Sequence, residues 1–406
     1  MDWKSQLKNM IREPSGLLKY INLTKEELAQ IDKASSIFPM GITPYYASLM
    51  DKNNPECPIR KQGIPSLAEL VTAPGEMTDP LGEELDSPVP GLTRRYPDRA
   101  LLLVTNSCFT YCRHCNRRRK VGDPVKAITP DSLNRGIDYI RNNSQIRDVL
   151  LSGGDPFFLS TKKLDSILKE LFEIPHVKIV RIGTRVPVVL PQRIDDELVD
   201  MLKKYRSLWI NTHFNHPKEI TSESKKALAM LADAGIPLGN QTVLLKGVND
   251  CPQILKELFY ELTENRVRPY YLFQCDQAKG ISHFRTPVSR GIEIMESLIG
   301  HISGFAVPVF AVDPPGGAGK IRLSPNYFLS SSPEAVVLRN YEGVITRYTE
   351  APHVENNCPG GCAICGEPPK SGRKGAHSGV GRLLSDNTEK AADLIPENLE
   401  RSFRRK

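Results

Sequence analysis

Short apolar runs alternate with amphipathic stretches between about residue 100 and residue 273. The runs are rich in Val, Ile and Leu and are apolar on both sides, as is typical of strands buried on both faces of a parallel sheet. Turn residues such as Gly, Pro and Asn separate them from their neighbours. We predict six strands, at residues 101–104, 148–152, 178–183, 208–213, 242–245 and 269–273.

The stretches between the runs carry apolar residues at helical spacing. The clearest of these helices are predicted at residues 161–172, 195–205, 222–234 and 253–264. Strand and helix therefore alternate, and this order predicts βα units that pair into a parallel sheet. Six units are fewer than the eight of a closed barrel. We predict the α/β class with a partial (β/α)6 barrel over residues 100–283.

The first 99 residues have a different pattern, with one good helix start and many prolines. Thr24 and Glu27 form a capping-box pattern ahead of Leu28 and Ile31, so a helix is expected there. Between residues 55 and 97 prolines recur too often for long regular elements. We expect residues 1–99 to be a helical region that wraps over the barrel.

Residues with chemical potential follow the predicted strands at their C-terminal ends. Cys108 follows the first strand, Gly153 and Gly154 the second, His213 the fourth and Asp276 the sixth. Active sites of parallel barrels lie at this end of the strands. The sequence therefore predicts one site that these residues share.

Cys108, Cys112 and Cys115 are three closely spaced thiols after the first strand. A structural zinc ion or an electron-carrying four-iron cluster would want a fourth ligand. The spacing resembles that of the radical S-adenosylmethionine (SAM) superfamily, in which three cysteines hold a [4Fe-4S] cluster and the fourth iron binds SAM. The alternative from the residues alone is a zinc knuckle.

The glycines of the turn after the second strand, Gly153 and Gly154, lack a Cβ and let backbone approach a bound ligand closely. They and Asp155 are expected to hold the amino group of SAM. A plain turn between strand and helix is the alternative reading of the same residues.

Lys320 ends a glycine-rich run that superficially resembles a phosphate-binding loop. The comparison fails, because Pro314 stands five residues before Gly319 and Ile321 follows the lysine where a hydroxyl side chain should bind magnesium. A lysine on a flexible glycine arm fits a Schiff base with pyridoxal phosphate (PLP), since the arm can withdraw when a substrate amine replaces it.

Four motifs together resemble the lysine 2,3-aminomutase family, whose members are radical SAM enzymes that bind PLP. The resemblance runs from about residue 94 to residue 365. The motifs are Cys-Phe-Thr-Tyr-Cys-Arg-His-Cys-Asn-Arg-Arg-Arg (108–119), Leu-Ser-Gly-Gly-Asp-Pro (151–156), Gly-Ile-Ser-His-Phe-Arg-Thr-Pro-Val-Ser-Arg-Gly (280–291) and Val-Asp-Pro-Pro-Gly-Gly-Ala-Gly-Lys (312–320).

The resemblance assigns a role to each matching residue. It implies a cluster on the three cysteines and the PLP aldimine on Lys320. The remaining implied contacts are SAM with His114, His213 and Gln241, the PLP phosphate with Arg95 and Arg99, the substrate carboxylate with Arg117, and the distal substrate ammonium with Asp276 and Asp313.

The two aspartates select the substrate within this family. Two buried carboxylates repel each other unless a cation lies between them, so the pair favours a distal ammonium. The related glutamate 2,3-aminomutases carry lysine and asparagine at these places. The resemblance therefore implies an isomerase that interconverts L-α-lysine and L-β-lysine through a 5'-deoxyadenosyl radical and a PLP external aldimine. Arginine or glutamate is the alternative substrate.

A second triplet, Cys358, Cys362 and Cys365, repeats the same spacing. In the family such a triplet binds zinc with a lone barrel cysteine of a neighbouring subunit, a position that Cys251 matches. The resemblance thus implies a zinc-stapled homotetramer. The spacing leaves a second iron-sulfur cluster open. We expect residues 284–366 to be a C-terminal PLP-lysine and zinc-binding region.

Composition narrows the picture further. The chain has 406 residues, 40% apolar and 25% charged, with a net charge of +7 that is spread along the sequence. No secretory signal or apolar run of membrane-spanning length is evident, and the clustered cysteines suit a reducing compartment, so we expect a cytoplasmic protein. Residues 367–406 are polar, and we expect an extended or partly disordered tail.

Three expectations concern partners and rival functions. A radical SAM enzyme needs an electron-donating reductant protein. A radical SAM enzyme that modifies RNA is a remote alternative, since the C-terminal third lacks a basic stripe with interleaved aromatics, and we expect no nucleic-acid partner. A non-catalytic metal-binding assembly protein would not need Lys320 together with Asp276 and Asp313.

Overall fold

A computed structural model of the chain describes residues 2–332 and 334–350. One compact unit extends through Pro325, and a second begins at Asn326. The strands of the first unit are β1 (Leu92–Tyr96), β2 (Arg99–Thr105), β3 (Asp148–Gly153), β4 (Ile179–Gly183), β5 (Leu208–Thr212), β6 (Leu238–Leu244), β7 (Val267–Gln274), β8 (Val309–Val312) and β9 (Ile321–Arg322).

Most helices of the first unit connect consecutive strands, and the earliest precede the sheet. They are α1 (Trp3–Lys8), α2 (Lys25–Ser35), α3 (Pro44–Ser48), α4 (Pro58–Gly63), α5 (Pro130–Arg141), α6 (Thr161–Phe172), α7 (Val186–Val189), α8 (Asp196–Leu202), α9 (Ser222–Asp233), α10 (Pro252–Glu264) and α11 (Val288–Leu298). The capping box predicted at Thr24 is confirmed at the start of α2, where Thr24 and Glu27 accept hydrogen bonds from each other's backbone N–H.

The nine strands form one mixed sheet in chain order, β1 to β9. Strands β2 to β8 run parallel, and the edge strands β1 and β9 are antiparallel to their neighbours. All six predicted strands are present. The sequence analysis missed β8, a seventh parallel strand, because four residues following Pro308 give too short a run. It also missed β1 inside the region expected to be helical.

Alternate residues of each strand face opposite sides of the sheet. One set packs in the hydrophobic core, and the other set lines a cavity. In β3, Val149 and Leu151 are fully buried in the hydrophobic core. Their neighbours Leu150 and Ser152 line the cavity instead. The helices cover the core side: α6, for example, buries Leu164, Leu168 and Leu171 on one face.

The N-terminal helices pack on the sheet as part of the same unit. Ile42, Tyr46 and Ile59 belong to the core cluster that also contains the strand residues. Glu69 lies beneath the cysteine motif, where it forms buried ion pairs with Arg113 and Arg118. The N-terminal residues therefore help to fix the loop that follows β2.

The second unit contains a three-stranded antiparallel sheet of β10 (Phe328–Ser331), β11 (Ala335–Arg339) and β12 (Ile345–Thr349), in that order. The second cysteine triplet and the polar tail lie outside the described residues. Within residues 2–332 and 334–350, none of the helices is long and apolar enough to cross a membrane.

Candidate active site

A cavity of about 700 Å³ runs along one face of the sheet to the C-terminal strand ends. Its size is within the range of small-molecule and cofactor sites. The predicted site residues that line it are Arg95, Arg99, Cys108, Cys112, His114, Cys115, Arg117, Gly153, Gly154, Asp155, His213, Gln241, Asp276, Asp313 and Lys320. Cys251 is the one predicted site residue in the described part of the chain that is absent from this lining.

The three cysteines of the motif line one wall of the cavity as free thiols. Burial raises the pKa of Cys108 well above its ordinary value, with Asp155 adding to the effect, and burial with Cys112 raises the pKa of Cys115 to about 11. Among the described residues, no three His, Cys, Asp or Glu side chains converge on one point as ligands of a single metal ion do. An iron-sulfur cluster does not require that convergence, because each cysteine binds a different iron.

Gly153 and Gly154 bring the turn after β3 against the end of β2. The Gly154 N–H donates to the Thr105 carbonyl at 2.7 Å. A Cβ on Gly153 would lie 2.0 Å from that carbonyl oxygen, and one on Gly154 would lie 2.1 Å from the Ser107 carbonyl oxygen. The glycines thus admit the chain's own backbone, directly before Cys108, which is a different close approach from the one expected.

Asp155 is buried, and its carboxylate is used within the protein. It accepts hydrogen bonds from Phe157 N–H, from the Thr184 hydroxyl and from Arg185 N–H at 2.7–3.0 Å. Burial raises the pKa of Asp155, and these hydrogen bonds counteract that rise. The carboxylate therefore ties the turn after β3 to the turn after β4.

His114 and His213 meet through their Nε2 atoms at 2.9 Å. Burial lowers the pKa of His213 to about 3 and that of His114 well below its ordinary value, so both rings are neutral at physiological pH. His213 Nδ1 faces the Gln241 carbonyl oxygen at 2.6 Å and must donate to it. His213 Nε2 is then the acceptor, and His114 Nε2 carries the proton between the rings.

This tautomer leaves His114 Nδ1 as an acceptor. That atom is buried and has no hydrogen-bond partner among the described residues. A buried lone pair without a partner is costly, so it predicts a donor group on a ligand in the cavity. Arg185 Nε is a second buried cavity atom without a partner in the described part of the chain, and it is a donor.

Arg185 is a site residue that sequence reasoning missed. Its Nη1 donates to Cys112 Sγ at 2.8 Å, and its Nη2 donates to Glu219 Oε1 at 2.8 Å and to Gln62 Oε1 at 2.6 Å. Burial lowers the pKa of Arg185, but Cys112, Tyr46 and Glu219 raise it by more. The pKa therefore lies above its ordinary value. No motif in the sequence announces it, because its partners come from distant segments.

The same cavity is lined by the two aspartates and the lysine. Lys320 Nζ lies 3.3 Å from Asp313 Oδ2, and Arg95 Nη1 donates to Asp313 Oδ1 at 3.3 Å. Asn116 donates to Asp276 Oδ2 at 2.7 Å. Burial raises the pKa of Asp276 to about 6; the Asn116 hydrogen bond lowers it and the Asp313 carboxylate raises it.

Lys320 is held on a short glycine loop. Gly316, Gly317 and Gly319 all have positive φ, a conformation that favours glycine. The Lys320 N–H donates to the Tyr96 hydroxyl at 2.9 Å, and a Cβ on Gly319 would lie 3.2 Å from that hydroxyl. The loop thus rests on the ring that also stacks against the Arg99 guanidinium at 3.9 Å.

Arg117 is fixed by a carboxylate that the sequence analysis did not single out. Its Nε donates to Glu83 Oε1 at 2.8 Å, its Nη2 donates to the same oxygen at 2.5 Å, and its Nη1 donates to the Ser152 hydroxyl at 3.2 Å. Burial raises the pKa of Glu83, but Arg117, Lys120 and Arg119 together lower it by more, to about 2. Glu83 therefore holds one edge of the guanidinium, and the edge formed by the two Nη atoms keeps N–H groups for a second anion.

Arg95 and Arg99 differ in their surroundings. The Arg95 side chain is 9% exposed and bonds Asp86 at 3.0 Å, Asp313 and the Leu81 carbonyl. The Arg99 side chain is 41% exposed, at the rim of the cavity, with a weak ion pair to Asp98. Of the two, Arg99 is the more accessible to a phosphate.

Cys251 is a partly exposed free thiol at the start of α10. The three cysteines expected to join it around zinc lie outside the described residues. Cys57 and Cys275 are buried with apolar neighbours, as small apolar side chains would be.

The cavity fits the groups that the motifs imply. Three thiols on one wall can each take an iron of a cluster, and the unpaired His114 and Arg185 atoms beside them offer an acceptor and a donor to a polar ligand. Lys320 lines the same cavity, paired with Asp313, and is held on a loop with three glycines of positive φ.

Comparison with known proteins gives two matching families. The family described as Lysine-2,3-aminomutase matches residues 295–406, and the Radical SAM superfamily matches residues 102–258. The chain is 54% identical over 404 residues to the L-lysine 2,3-aminomutase of Acetoanaerobium sticklandii, covering 99% of this chain and 95% of that protein. It is 57% identical over 349 residues to that of Fusobacterium nucleatum, covering 86% and 82%. The glutamate 2,3-aminomutase of Clostridioides difficile is 47% identical over 357 residues, covering 87% and 84%.

Proposed function

The chain belongs to the lysine 2,3-aminomutase family, and we propose that it interconverts L-α-lysine and L-β-lysine. In this isomerisation the amino group moves from C2 to C3 and a hydrogen moves from C3 to C2. The observation that carries the proposal is that one cavity is lined by both groups of residues that the reaction needs. The cysteine triplet lines the same cavity as Lys320, Asp276 and Asp313.

The cofactors are a [4Fe-4S] cluster, SAM, PLP and zinc. When bound, they supply a hydrogen-abstracting carbon radical and an aromatic ring that delocalises an unpaired electron, while zinc serves assembly. Cys108, Cys112 and Cys115 would hold the cluster, and Lys320 would carry PLP. Residues proposed to contact SAM are Gly153, Gly154, Asp155, His114, His213 and Gln241.

The substrate is proposed to lie between Arg117 and the aspartates. The Nη edge of Arg117, with Ser152 beside it, is proposed to bind the substrate carboxylate while Glu83 keeps the guanidinium in place. Asp276 has an amide donor but no cation within bonding distance in the described structure, whereas Asp313 has Arg95 and Lys320. A substrate ammonium would supply the missing cation.

Asp276, Asp313 and Arg95 are also proposed to exclude water from the substrate. Asp276, Asp313 and Arg95 have side chains that are largely buried, so charges placed there interact more strongly than in water. Arg95 and Arg99 are proposed to bind the PLP phosphate, Arg99 from the rim and Arg95 from the wall.

Lysine is preferred over the two alternative substrates on charge. Glutamate would bring a second carboxylate toward Asp276 and Asp313, which like-charge repulsion disfavours. Arginine carries a distal cation too, but its guanidinium is bulkier and longer than the lysine ammonium. Arginine therefore remains the closer competitor.

Other proposals concern the whole protein. The parallel strands of residues 100–283 are proposed to curve into a partial barrel. Residues 1–99 are proposed as the helical region that wraps over it, residues 284–366 as the PLP-lysine and zinc-binding region, and residues 367–406 as a polar tail. Zinc held by Cys251 with Cys358, Cys362 and Cys365 is proposed to link subunits of a homotetramer. A reductant protein would supply electrons, and the thiol-rich sites suit the cytoplasm.

The test is an anaerobic assay of the reconstituted enzyme with SAM, reductant and isotopically labelled amino acid. We expect β-lysine from lysine and no product from glutamate. Lys320→Ala should lose both the PLP aldimine absorbance and turnover, while its iron content stays at the wild-type level. Turnover of glutamate or arginine without lysine turnover would contradict the substrate assignment.

A further inference from the structure

We propose that Arg185 and Glu219 act as a charged pair that positions the Cys112 sulfur and sets the reduction potential of the cluster. The inference rests on the proposed function, since it takes Cys112 as a cluster ligand. Arg185 is a positioning residue here, because it acts on the cluster through a cysteine ligand and through its charge.

The first support is direct contact. Arg185 Nη1 donates to Cys112 Sγ at 2.8 Å. Arg185 begins the turn after β4, and its own backbone N–H donates to Asp155 at 2.7 Å. The guanidinium is therefore anchored at its base as well as at its tip, beside the cysteine wall of the cavity.

The second support is the way the other side of the guanidinium is held. Its Nη2 donates to Glu219 at 2.8 Å and Gln62 at 2.6 Å, and lies 3.2 Å from the Tyr46 hydroxyl oxygen. Glu219 and Gln62 are fully buried. A cation so enclosed cannot exchange its partners for water, and its direction toward Cys112 is fixed.

The third support is the set of hydrogen bonds that the Glu219 carboxylate accepts. Its Oε1 accepts from the Tyr46 hydroxyl at 2.9 Å and Gln62 Nε2 at 3.1 Å as well as from Arg185, and its Oε2 accepts from Asn215 N–H at 2.6 Å. These donors hold the Glu219 carboxylate in place beside the Arg185 guanidinium. The pair is thus a fixed cation next to the cysteine and a fixed anion behind it.

The electrostatic consequence has opposite signs for the two members. Reduction adds a negative charge to the cluster. Nearby cations stabilise that charge, and so do hydrogen bonds donated to the cluster thiolates. Arg185 should therefore raise the reduction potential. Glu219 partly cancels this cation, so it should lower the potential.

The experiment compares the cluster midpoint potential of reconstituted holoenzymes in an EPR-monitored redox titration without SAM. The variants are Arg185→Gln, Arg185→Lys and Glu219→Gln. Arg181→Gln is the matched control, because Arg181 lies on β4 too but pairs with Asp148, the first residue of β3, at 2.8 Å and not with a cysteine of the motif. Iron content is measured for each protein.

We expect a more negative midpoint for Arg185→Gln, a smaller negative shift for Arg185→Lys and a more positive midpoint for Glu219→Gln. The control should match wild type. Shifts of the same sign in the Arg185 and Glu219 variants, or no shift in either, would overturn the inference.

Three further outcomes are also decisive. If Arg185→Gln retains no iron, the signs measured for Arg185→Lys and Glu219→Gln decide the inference. If wild type itself binds no cluster, both the Arg185 inference and the proposed function fail. If wild type binds the cluster and forms β-lysine while the variants keep its potential, only the Arg185 inference fails.

Discussion

The side chains proposed to bind the substrate ammonium differ in how firmly their charges are compensated. Asp313 contacts two cations, Arg95 and Lys320, while Asp276 accepts one amide hydrogen bond from Asn116. Burial raises the pKa of Asp276 to about 6, and the Asp313 carboxylate adds to this rise, while the Asn116 hydrogen bond lowers it. Asp276 is thus the residue whose ionisation a substrate ammonium changes most.

We predict that lysine binding weakens as the pH falls below about 6, because protonated Asp276 cannot pair with the ammonium. The raised pKa also means that ionising Asp276 costs folding free energy as the pH rises through about 6. Asp276→Asn should therefore remove this pH dependence of lysine affinity and, without substrate, raise the melting temperature at pH 8 but not at pH 4. A lysine affinity independent of pH in wild type between pH 5 and pH 8 would contradict this.

Substitutions of Glu83 test whether its hydrogen bonds or its charge hold the Arg117 guanidinium in position. Glu83→Gln keeps an oxygen for Arg117 Nε and Nη2, whereas Glu83→Ala leaves the guanidinium unsupported. We expect the KM for lysine to change less than about threefold in the glutamine variant and to rise about tenfold or more in the alanine variant, as the loss of a charged hydrogen bond implies. Equal KM values for the two variants would rule out a positioning role.

The sequence predicted the residues whose spacing is itself a signal, such as the cysteine triplet and Lys320. It did not predict Glu83 or Arg185. Glu83 lies 34 residues before Arg117, and Gln62 lies 123 residues before Arg185, so only the folded chain brings these pairs together. A buried ion pair leaves no periodic pattern, because each partner is an ordinary charged residue in its own segment.

At the scale of elements, the alternation along the strands determines what reaches the cavity. Val180 and Ile182 of β4 are buried against the helices, while Arg181 and Gly183 between and beside them line the cavity. This parity could be predicted for the longer runs. It could not for β8, since four residues do not distinguish a strand from an apolar turn.

The turn after β3 offers an element-scale prediction. Gly154→Ala should destabilise the fold by about 1–3 kcal/mol or more, because its Cβ would lie 2.1 Å from the Ser107 carbonyl oxygen. Gly304→Ala is the matched control, since nothing lies within 4 Å of the added Cβ. Thermal unfolding of both proteins measures the difference, and equal melting temperatures would refute the close-approach account.

For the whole molecule, the N-terminal region and the sheet form one unit that encloses the cysteine wall. Gln62 and Tyr46 belong to the N-terminal helices, yet they bond the Arg185 that contacts Cys112. Removal of the N-terminal region would therefore expose that wall. The sequence predicted a wrapping region, but its polar contacts with the interior depend on tertiary packing.

Assembly can be tested through Cys251. If zinc links subunits, Cys251→Ser should lose zinc measured by elemental analysis and shift the protein to smaller species in light scattering. The iron content should stay unchanged, because Cys251 is absent from the cavity lining. A zinc-free variant that keeps the wild-type mass would separate metal binding from oligomerisation and contradict the stapling proposal.

The most direct test of the central claim follows the migrating hydrogen. The enzyme is incubated anaerobically with SAM, reductant and L-lysine deuterated at both C3 positions, and the products are examined by NMR. The account predicts β-lysine with deuterium at C2 and deuterium in the recovered SAM, because one cavity transfers the hydrogen between substrate and cofactor. β-Lysine without deuterium at C2, or conversion of glutamate but not lysine, would contradict it.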